Sequence, residues 1–113
     1  MTCLLFVYGL LQPGYRPPRS AIRHWKDAVA GELFDLGPYP AAVNVGQPGT
    51  WIEGHVVEIH VAELPALDAF EEVDAGLYAR KRVTTREGHE VWIYEFCREL
   101  PFHALRINRW TPR

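Results

Sequence analysis

The sequence predicts an α+β domain built on a small mixed or barrel-like sheet with short flanking helices. Two observations lead to this class. Most of the chain consists of short runs rich in apolar, β-branched and aromatic residues, separated by Gly and Pro turns. The helical patterns are few and short, and they do not alternate with the strands as they would in a βαβ fold. We find no internal repeat.

The amino-terminal strand is the clearest element. Leu4 to Tyr8 form a continuous apolar run that stops at Gly9, which is typical of a central strand buried on both faces. Residues 10–18 contain three prolines and a glycine and predict an ordered loop. Ser20 is a candidate N-cap for a short helix over residues 20–25.

Strand patterns dominate the middle of the chain. Residues 28–36 alternate partly and indicate a strand that ends at a Gly-Pro turn, and residues 39–45 form a second extended segment. Residues 51–61 predict a long strand interrupted by Gly54, where we expect a bulge or a close backbone approach.

One amphipathic helix and a hairpin follow. Residues 62–70 place Leu64, Leu67 and Phe70 at a three-residue spacing, which gives a helix one apolar stripe. Residues 78–85 and 90–96 are β-rich and flank a Glu-Gly turn, as expected for a hairpin. From Arg98 onward we expect a mostly irregular tail.

Length and composition restrict the function classes. The chain has 113 residues, and a typical domain holds about 100 to 150, so we expect a single domain over residues 1–113. Hydrophobic residues make up 48% of the chain, enough to fill one core. The 12 basic and 14 acidic residues give a net charge of -2, which offers no footprint for nucleic acid or an anionic membrane.

The sequence predicts a cytoplasmic protein. No apolar run approaches the roughly 20 residues that span a bilayer, and no basic region precedes the first apolar stretch. Cys3 and Cys97 form neither a C-x-x-C pair nor a dense disulfide pattern. We expect two reduced, buried thiols, although a bridge between the first and last strands is also geometrically allowed.

The loop that follows the first strand is the first candidate site. Backbone N–H groups at the end of a buried strand lack ladder partners, and they can form a nest for a carboxylate or a developing oxyanion. The alternative is that Gly9 and Gly14 only satisfy turn dihedral angles. The loop alone does not decide between these interpretations.

Glu71 is the second candidate. It follows the apolar Phe70 at the end of the predicted helix, where a cavity wall would desolvate its carboxyl group and raise its pKa toward that of a general acid/base. The alternative is a solvated surface charge. We expect the neighbouring Glu72 to point to water.

Together these features resemble the gamma-glutamylcyclotransferase-like superfamily, which includes AIG2-like proteins and γ-glutamylamine cyclotransferases. Residues 7–14 (VYGLLQPG) are similar to its V-Y-G-[ST]-L-[RK]-x-G signature. Residues 31–37 (GELFDLG) with 39–41 (YPA) are similar to G-x-L-Y-D-L-G-x-Y-P-A. Residues 67–71 (LDAFE) with 78–83 (YARKRV) are similar to L-D-x-[FY]-E-G followed by Y-x-R-x-x-V. Three motifs in the right order are more specific than any one alone.

The resemblance implies a compact β-barrel edged by helices, with a cavity between the first-strand loop and a catalytic glutamate. That glutamate corresponds to Glu71. The resemblance implies that the γ-glutamyl group is held by loop amides, those of Tyr8, Gly9, Leu10 and Leu11. It places Tyr78 at an aromatic position near the cavity. A plain core role is an alternative for Tyr78, and we expect Arg80 to be structural, paired with an acidic neighbour.

The resemblance also implies a reaction. In a γ-glutamyl amide the free α-amine can attack the γ-carbonyl and close a five-membered lactam, which releases 5-oxoproline and an amine or amino acid. Such a reaction needs neither a metal nor a cofactor. The expected partner is therefore a small γ-glutamyl compound, and we expect a monomer or a weak homodimer.

Three departures separate this chain from the family pattern. Leu10 replaces a Ser or Thr, Gln12 replaces a basic residue, and Glu72 replaces the glycine that commonly follows the glutamate. Leu10 removes a side-chain donor, and Gln12 would weaken any charge-assisted hold on a substrate carboxylate. A small-molecule-binding protein that kept the fold and lost catalysis is therefore the main alternative.

Other catalytic chemistries have less support. His55, Glu58 and His60 lie on one predicted strand, but His55 faces the opposite side, so the three do not form a metal site. The two cysteines lack a paired base. The remaining histidines show no organised spacing, and we expect them at the surface: His24, His89 and His103.

Overall fold

The computed structural model describes residues 1–112, which fold into eight strands and one short α-helix. The strands are β1 (Thr2–Val7), β2 (Arg23–Ala30), β3 (Glu32–Asp35), β4 (Pro40–Val43), β5 (Trp51–His60), β6 (Tyr78–Thr84), β7 (Glu90–Phe96) and β8 (Leu105–Ile107). The helix α1 (Leu64–Phe70) follows one 3-10 turn over Val61–Glu63.

Strand β1 lies at the centre of the larger sheet, whose order is β2-β5-β1-β7-β6. It pairs antiparallel with β5 and parallel with β7. Leu5, Phe6 and Val7 are buried because both faces of β1 are covered. The prediction of a central, buried first strand is confirmed, and its last residue delivers the chain to the loop at Tyr8.

The three remaining strands form a second sheet in the order β4-β3-β8. Among residues 1–112 the pairing gives two separate sheets, and no pairing joins β2 to β6 at the edges of the larger sheet. The mixed sheet and the flanking helix agree with the predicted class, whereas closure into a barrel stays a prediction.

The predicted helix over residues 20–25 is wrong. Strand β2 already begins at Arg23, which pairs with Glu58 of β5. The Ser20 hydroxyl donates to the Glu63 carboxylate instead of capping a helix, and it accepts a hydrogen bond from the His60 N–H at 2.9 Å. Long-range pairing therefore outweighs the local capping signal.

The predicted strand over residues 28–36 is divided in two. Gly31 separates β2 from β3 and has a φ of 148°, a conformation that side-chain-bearing residues rarely adopt. An added Cβ there would lie 3.2 Å from the Val43 carbonyl oxygen. The chain turns at this glycine and passes from the larger sheet into the smaller one.

Gly54 makes the close backbone approach that the sequence predicts, without a bulge. The ladder between β2 and β5 runs through the pair Asp27–Gly54 without interruption. A Cβ on Gly54 would overlap the Val7 carbonyl oxygen and lie 2.9 Å from Cζ of Phe6. Only glycine lets β5 lie this close to the end of its neighbour β1 in the sheet.

Helix α1 buries Leu64 and Leu67 as predicted, but Phe70 is 47% exposed. The expected apolar stripe thus ends one turn early. The tail also differs from the prediction, since residues 105–107 form a strand and Trp110 is only 2% exposed. Its indole fills the core between the two sheets.

Both cysteines are free thiols. Cys3 is half-buried, whereas Cys97 is exposed just beyond the end of β7, so the expectation that both are buried is wrong for Cys97. His24 and His103 are exposed as expected, but His89 is half-buried against the Trp25 ring, with 5.0 Å between the ring centroids. Within residues 1–112 no helix has the length and apolar character needed to cross a bilayer.

Candidate active site

A cavity of about 420 Å³, including the solvent at its open mouth, lies between the end of β1 and the end of α1. Every site residue predicted from the sequence lines it. Its walls consist of Phe6, Val7, Tyr8, Gly9, Leu10, Leu11, Tyr39, Pro40, Phe70, Glu71, Tyr78 and Tyr94. Glu71 is the one carboxyl residue in this lining, which is otherwise apolar and aromatic.

The loop wall of the cavity begins where β1 leaves the sheet. Within residues 1–112, no backbone carbonyl accepts a hydrogen bond from the N–H groups of Gly9, Leu10 or Leu11. The absence of a side chain at Gly9 lets the loop pack on Pro40, because an added Cβ would lie 3.1 Å from two ring carbons. These three N–H groups thus lack backbone partners, as the predicted anion-binding nest requires.

Glu71 forms the facing wall as the C-cap of α1. Its half-buried carboxyl group borders the apolar lining, and desolvation raises its pKa from the usual 4.5 to about 7. No side-chain hydrogen bond to this carboxyl is found among the described residues. A carboxyl group with a pKa near 7 can both accept and donate a proton at neutral pH.

The turn after α1 fixes the position of Glu71. The N–H of Glu72 donates to Ala69 O at 3.1 Å, and the N–H of Val73 donates to Asp68 O at 3.0 Å. These two bonds form a Schellman motif in which Glu72 is the left-handed residue, with a φ of 53°. Glycine adopts this backbone conformation most readily, and this chain makes the turn with a glutamate.

Three buried tyrosines surround the carboxyl group. The Tyr8 hydroxyl donates to Tyr94 O, and the Tyr78 hydroxyl donates to Pro40 O at 2.6 Å. Burial, with the Glu71 charge nearby, raises the pKa of Tyr8 and Tyr78 far above the usual range of a phenol. Both rings therefore stay neutral, and their hydroxyl protons hold the cavity walls together.

Tyr94 is a cavity residue that the sequence did not reveal. Its hydroxyl donates to Asp68 Oδ1 at 2.7 Å, and Asp68 in turn lies 3.0 Å from the Arg80 guanidinium. Arg80 thus has the structural, acid-paired role expected of it. The motif contained Asp68 and Arg80, but no sequence pattern connects them to a tyrosine on β7.

Two further predictions concern residues outside the lining. Gln12 does not face the cavity; it is 4% exposed and lies beneath the loop. Glu58, one of the three strand residues weighed as metal ligands, is hydrogen-bonded to Thr2 and Arg23. Within residues 1–112 no group of three His, Cys, Asp or Glu side chains is placed to hold a metal ion.

Comparison with known families supports the resemblance. The family model described as gamma-glutamyl cyclotransferase, AIG2-like, matches residues 5–111. The chain belongs to this family. The match spans both cavity walls, from β1 to the tail that carries Trp110.

Solved structures show the same fold. An AIG2-like protein from Mus musculus superposes with a TM-score of 0.79 and 17% identity, over 97% of this chain and 88% of that one. The protein ytfP from Escherichia coli is 27% identical with a TM-score of 0.62, over 94% and 92% of the two chains. A gamma-glutamyl cyclotransferase superposes with a TM-score of 0.54 and 22% identity, over 85% and 67%. A search of curated proteins found no match.

Proposed function

We propose that this protein is a cyclotransferase that cleaves a γ-glutamyl amide and releases 5-oxoproline, with Glu71 as its acid/base. The observation that supports this most strongly is the placement of a desolvated carboxyl group with a pKa of about 7 across one cavity from free backbone donors. Family membership supports the same class of reaction.

The substrate supplies its own nucleophile. The Glu71 carboxylate takes a proton from the α-ammonium, and the freed amine attacks the γ-carbonyl carbon to form a tetrahedral intermediate. Glu71 then donates that proton to the departing nitrogen as its bond to the γ-carbon breaks. The lactam nitrogen still carries an extra proton, which passes through Glu71 to the released amine. Two protons thus move from the α-nitrogen to the leaving group.

The loop donors act on the oxygen. As the amine attacks, the γ-carbonyl oxygen gains negative charge, and the N–H groups of Gly9, Leu10 and Leu11 would stabilise it. One well-placed donor of this kind contributes about 3 to 4 kcal/mol to lowering a barrier. The apolar lining strengthens this effect because it excludes water from the charges. Ring closure also benefits from being intramolecular.

Leu10 favours the second candidate function, a binding protein without catalysis. The family's hydroxyl is absent there, and the leucine side chain makes this part of the wall apolar. The backbone donors are unaffected by the substitution. We therefore place catalysis first and binding second.

Release of 5-oxoproline from a panel of γ-glutamyl amines and γ-glutamyl dipeptides tests the proposal. We expect release by the wild type and a decrease in kcat of about 10²- to 10⁴-fold in Glu71→Gln, which keeps the shape of the side chain and removes its proton transfer. The matched control is Glu72→Gln, which changes the exposed neighbour and should keep kcat within about threefold.

The outcomes separate the two functions. Release that is equal in the wild type and in Glu71→Gln would exclude Glu71 as the proton carrier. If no compound of the panel is cleaved but one or more bind the wild type, the protein is a binding member of the family. In that case Leu10→Ser is the next variant to assay.

A further inference from the structure

Gln12 links the substrate loop to two distant parts of the chain. Its side-chain nitrogen Nε2 lies 3.2 Å from Gly9 O and 3.4 Å from Trp110 O, and its oxygen Oε1 lies 3.1 Å from Nδ1 of His55. The side chain is almost completely buried, at 4% exposure. A buried amide with this set of neighbours has little freedom to rotate.

The contacts fix which way the amide points. Gly9 O and Trp110 O are both acceptors, so they take the two N–H donors of the amide and leave Oε1 for His55. Nδ1 of His55 must then carry the hydrogen. Burial and the nearby charges of His24, Lys26 and Arg109 lower the pKa of His55, which favours the neutral ring. Every donor and acceptor of the Gln12 amide has a partner.

The same contacts determine the direction of a peptide plane in the active site. Gly9 O accepts hydrogen bonds from Gln12 Nε2 and from the Gln12 N–H at 3.1 Å. In a trans peptide the carbonyl and the following N–H point in opposite directions, and no cis peptide bond occurs in residues 1–112. The Leu10 N–H is therefore directed away from Gln12, which lies outside the cavity lining, whereas Leu10 belongs to that lining.

The next peptide plane is held in the same way, from outside the cavity. Leu10 O accepts a hydrogen bond from the Arg16 N–H at 2.7 Å, so the Leu11 N–H points in the opposite direction. This second anchor uses backbone atoms alone. The Gly9–Leu10 plane differs because a side chain, that of Gln12, also holds it.

We propose that Gln12 is a positioning residue that aims the Leu10 N–H at the reacting carbonyl, with His55 and the Trp110 carbonyl holding Gln12 in place. The inference rests on the proposed function. It assigns a role to a position where the family commonly has a basic residue, and it makes the carboxy-terminal tail part of the active-site scaffold.

The test compares Gln12→Met with the wild type by kinetics and by NMR. Methionine fills a similar volume without donors, so one of the two bonds to Gly9 O is lost and the other remains. We expect kcat to fall about 10-fold and KM to change less than threefold, because the donor acts mainly on the transition state. The ¹⁵N–¹H resonance of Leu10 should shift, and its further shift on titration with 5-oxoproline should decrease.

Two further variants distinguish a loss of positioning from a general loss of stability. Gln12→Glu places a carboxylate against two carbonyl oxygens, so its kcat relative to the wild type should be lowest at high pH. It should recover as pH falls, because the protonated carboxyl can donate to Gly9 O again. Gln47→Glu adds the same charge at the exposed second glutamine and should behave like the wild type.

The kinetic assay and the Leu10 resonance test the proposed function and the role of Gln12 separately. An unchanged kcat and an unchanged Leu10 resonance in folded Gln12→Met would overturn the positioning role. If the wild type releases no 5-oxoproline, the proposed function is lost, but the Leu10 resonance still decides whether Gln12 orients this peptide. A Gln12→Glu variant whose relative kcat does not depend on pH would also contradict the inference.

Discussion

The two walls of the cavity are built in different ways. The loop wall continues the central strand of the larger sheet; its peptide planes are anchored by Gln12 and Arg16, and Gly9 packs on Pro40. The wall that carries Glu71 is the end of a seven-residue helix followed by an exposed turn with a left-handed Glu72. Backbone donors and a desolvated carboxyl group therefore lie on two walls of one cavity that are held by different contacts.

Each wall meets a different requirement of the proposed reaction. Oxyanion donors must be in place before the reaction, which suits a wall held by core packing. A proton carrier needs a pKa near the working pH, which is obtained by removing water from around one carboxyl group. Desolvation opposes stability, so we expect the helix wall to be the weaker one.

The largest effect should come from disrupting the support of the loop wall with Gly54→Ala. The added methyl group would overlap Val7 O and lie 2.9 Å from Phe6 Cζ, and backbone cannot yield without moving β1. We expect a loss of about 3 kcal/mol in the free energy of unfolding, measured by urea denaturation. Gly9→Ala is the graded comparison, since its methyl meets only Pro40 ring carbons at 3.1 Å, and its loss should be smaller. Equal losses in the two variants would contradict this view of the wall.

The sequence predicted the elements that carry both walls. Strand β1 and the β6–β7 hairpin follow from local patterns, an unbroken apolar run and a Glu-Gly turn. The motif placed Glu71 at the end of α1, and the structure has it there.

Contacts between distant residues could not be predicted in this way. The Tyr94–Asp68 bond spans 26 positions and the Gln12–His55 contact spans 43, and single-residue patterns contain no information about such pairs. The absence of a helix over residues 20–25 has the same cause, because Ser20 is bonded to Glu63, 43 positions away. Local patterns predict strands and helices, whereas the hydrogen bonds that hold the site form between elements that are distant in sequence.

The second effect is a dependence of stability on pH, through Glu71. Its pKa rises from 4.5 to about 7 on folding. Between these values the native state binds more protons than the unfolded chain, so the free energy of unfolding falls as pH rises through this range. Glu71→Gln removes the charge, and we expect it to be about 2 kcal/mol more stable than the wild type at pH 8.

Urea denaturation of both proteins at pH 4 and pH 8 measures this difference. Near pH 4 the carboxyl group is mostly protonated in both states, so the stabilities of the two proteins should converge. A Glu71→Gln variant that is no more stable than the wild type at pH 8 would show that the carboxyl is solvated. The explanation of its acid/base role would then fail as well.

The smallest effect should come from relieving the backbone strain and the unfavourable charge at Glu72 in the helix wall. Its φ of 53° is unfavourable for a side-chain-bearing residue, and its charge lies at the carboxyl end of α1, where negative charge is disfavoured. Glu72→Gly should therefore stabilise the fold by about 0.5 to 1 kcal/mol, measured as a higher Tm. Glu72→Gln removes only the charge and should recover less than half of this gain. If the two variants are equally stable, charge rather than backbone conformation limits this turn, and the family's glycine is not explained by the Schellman motif.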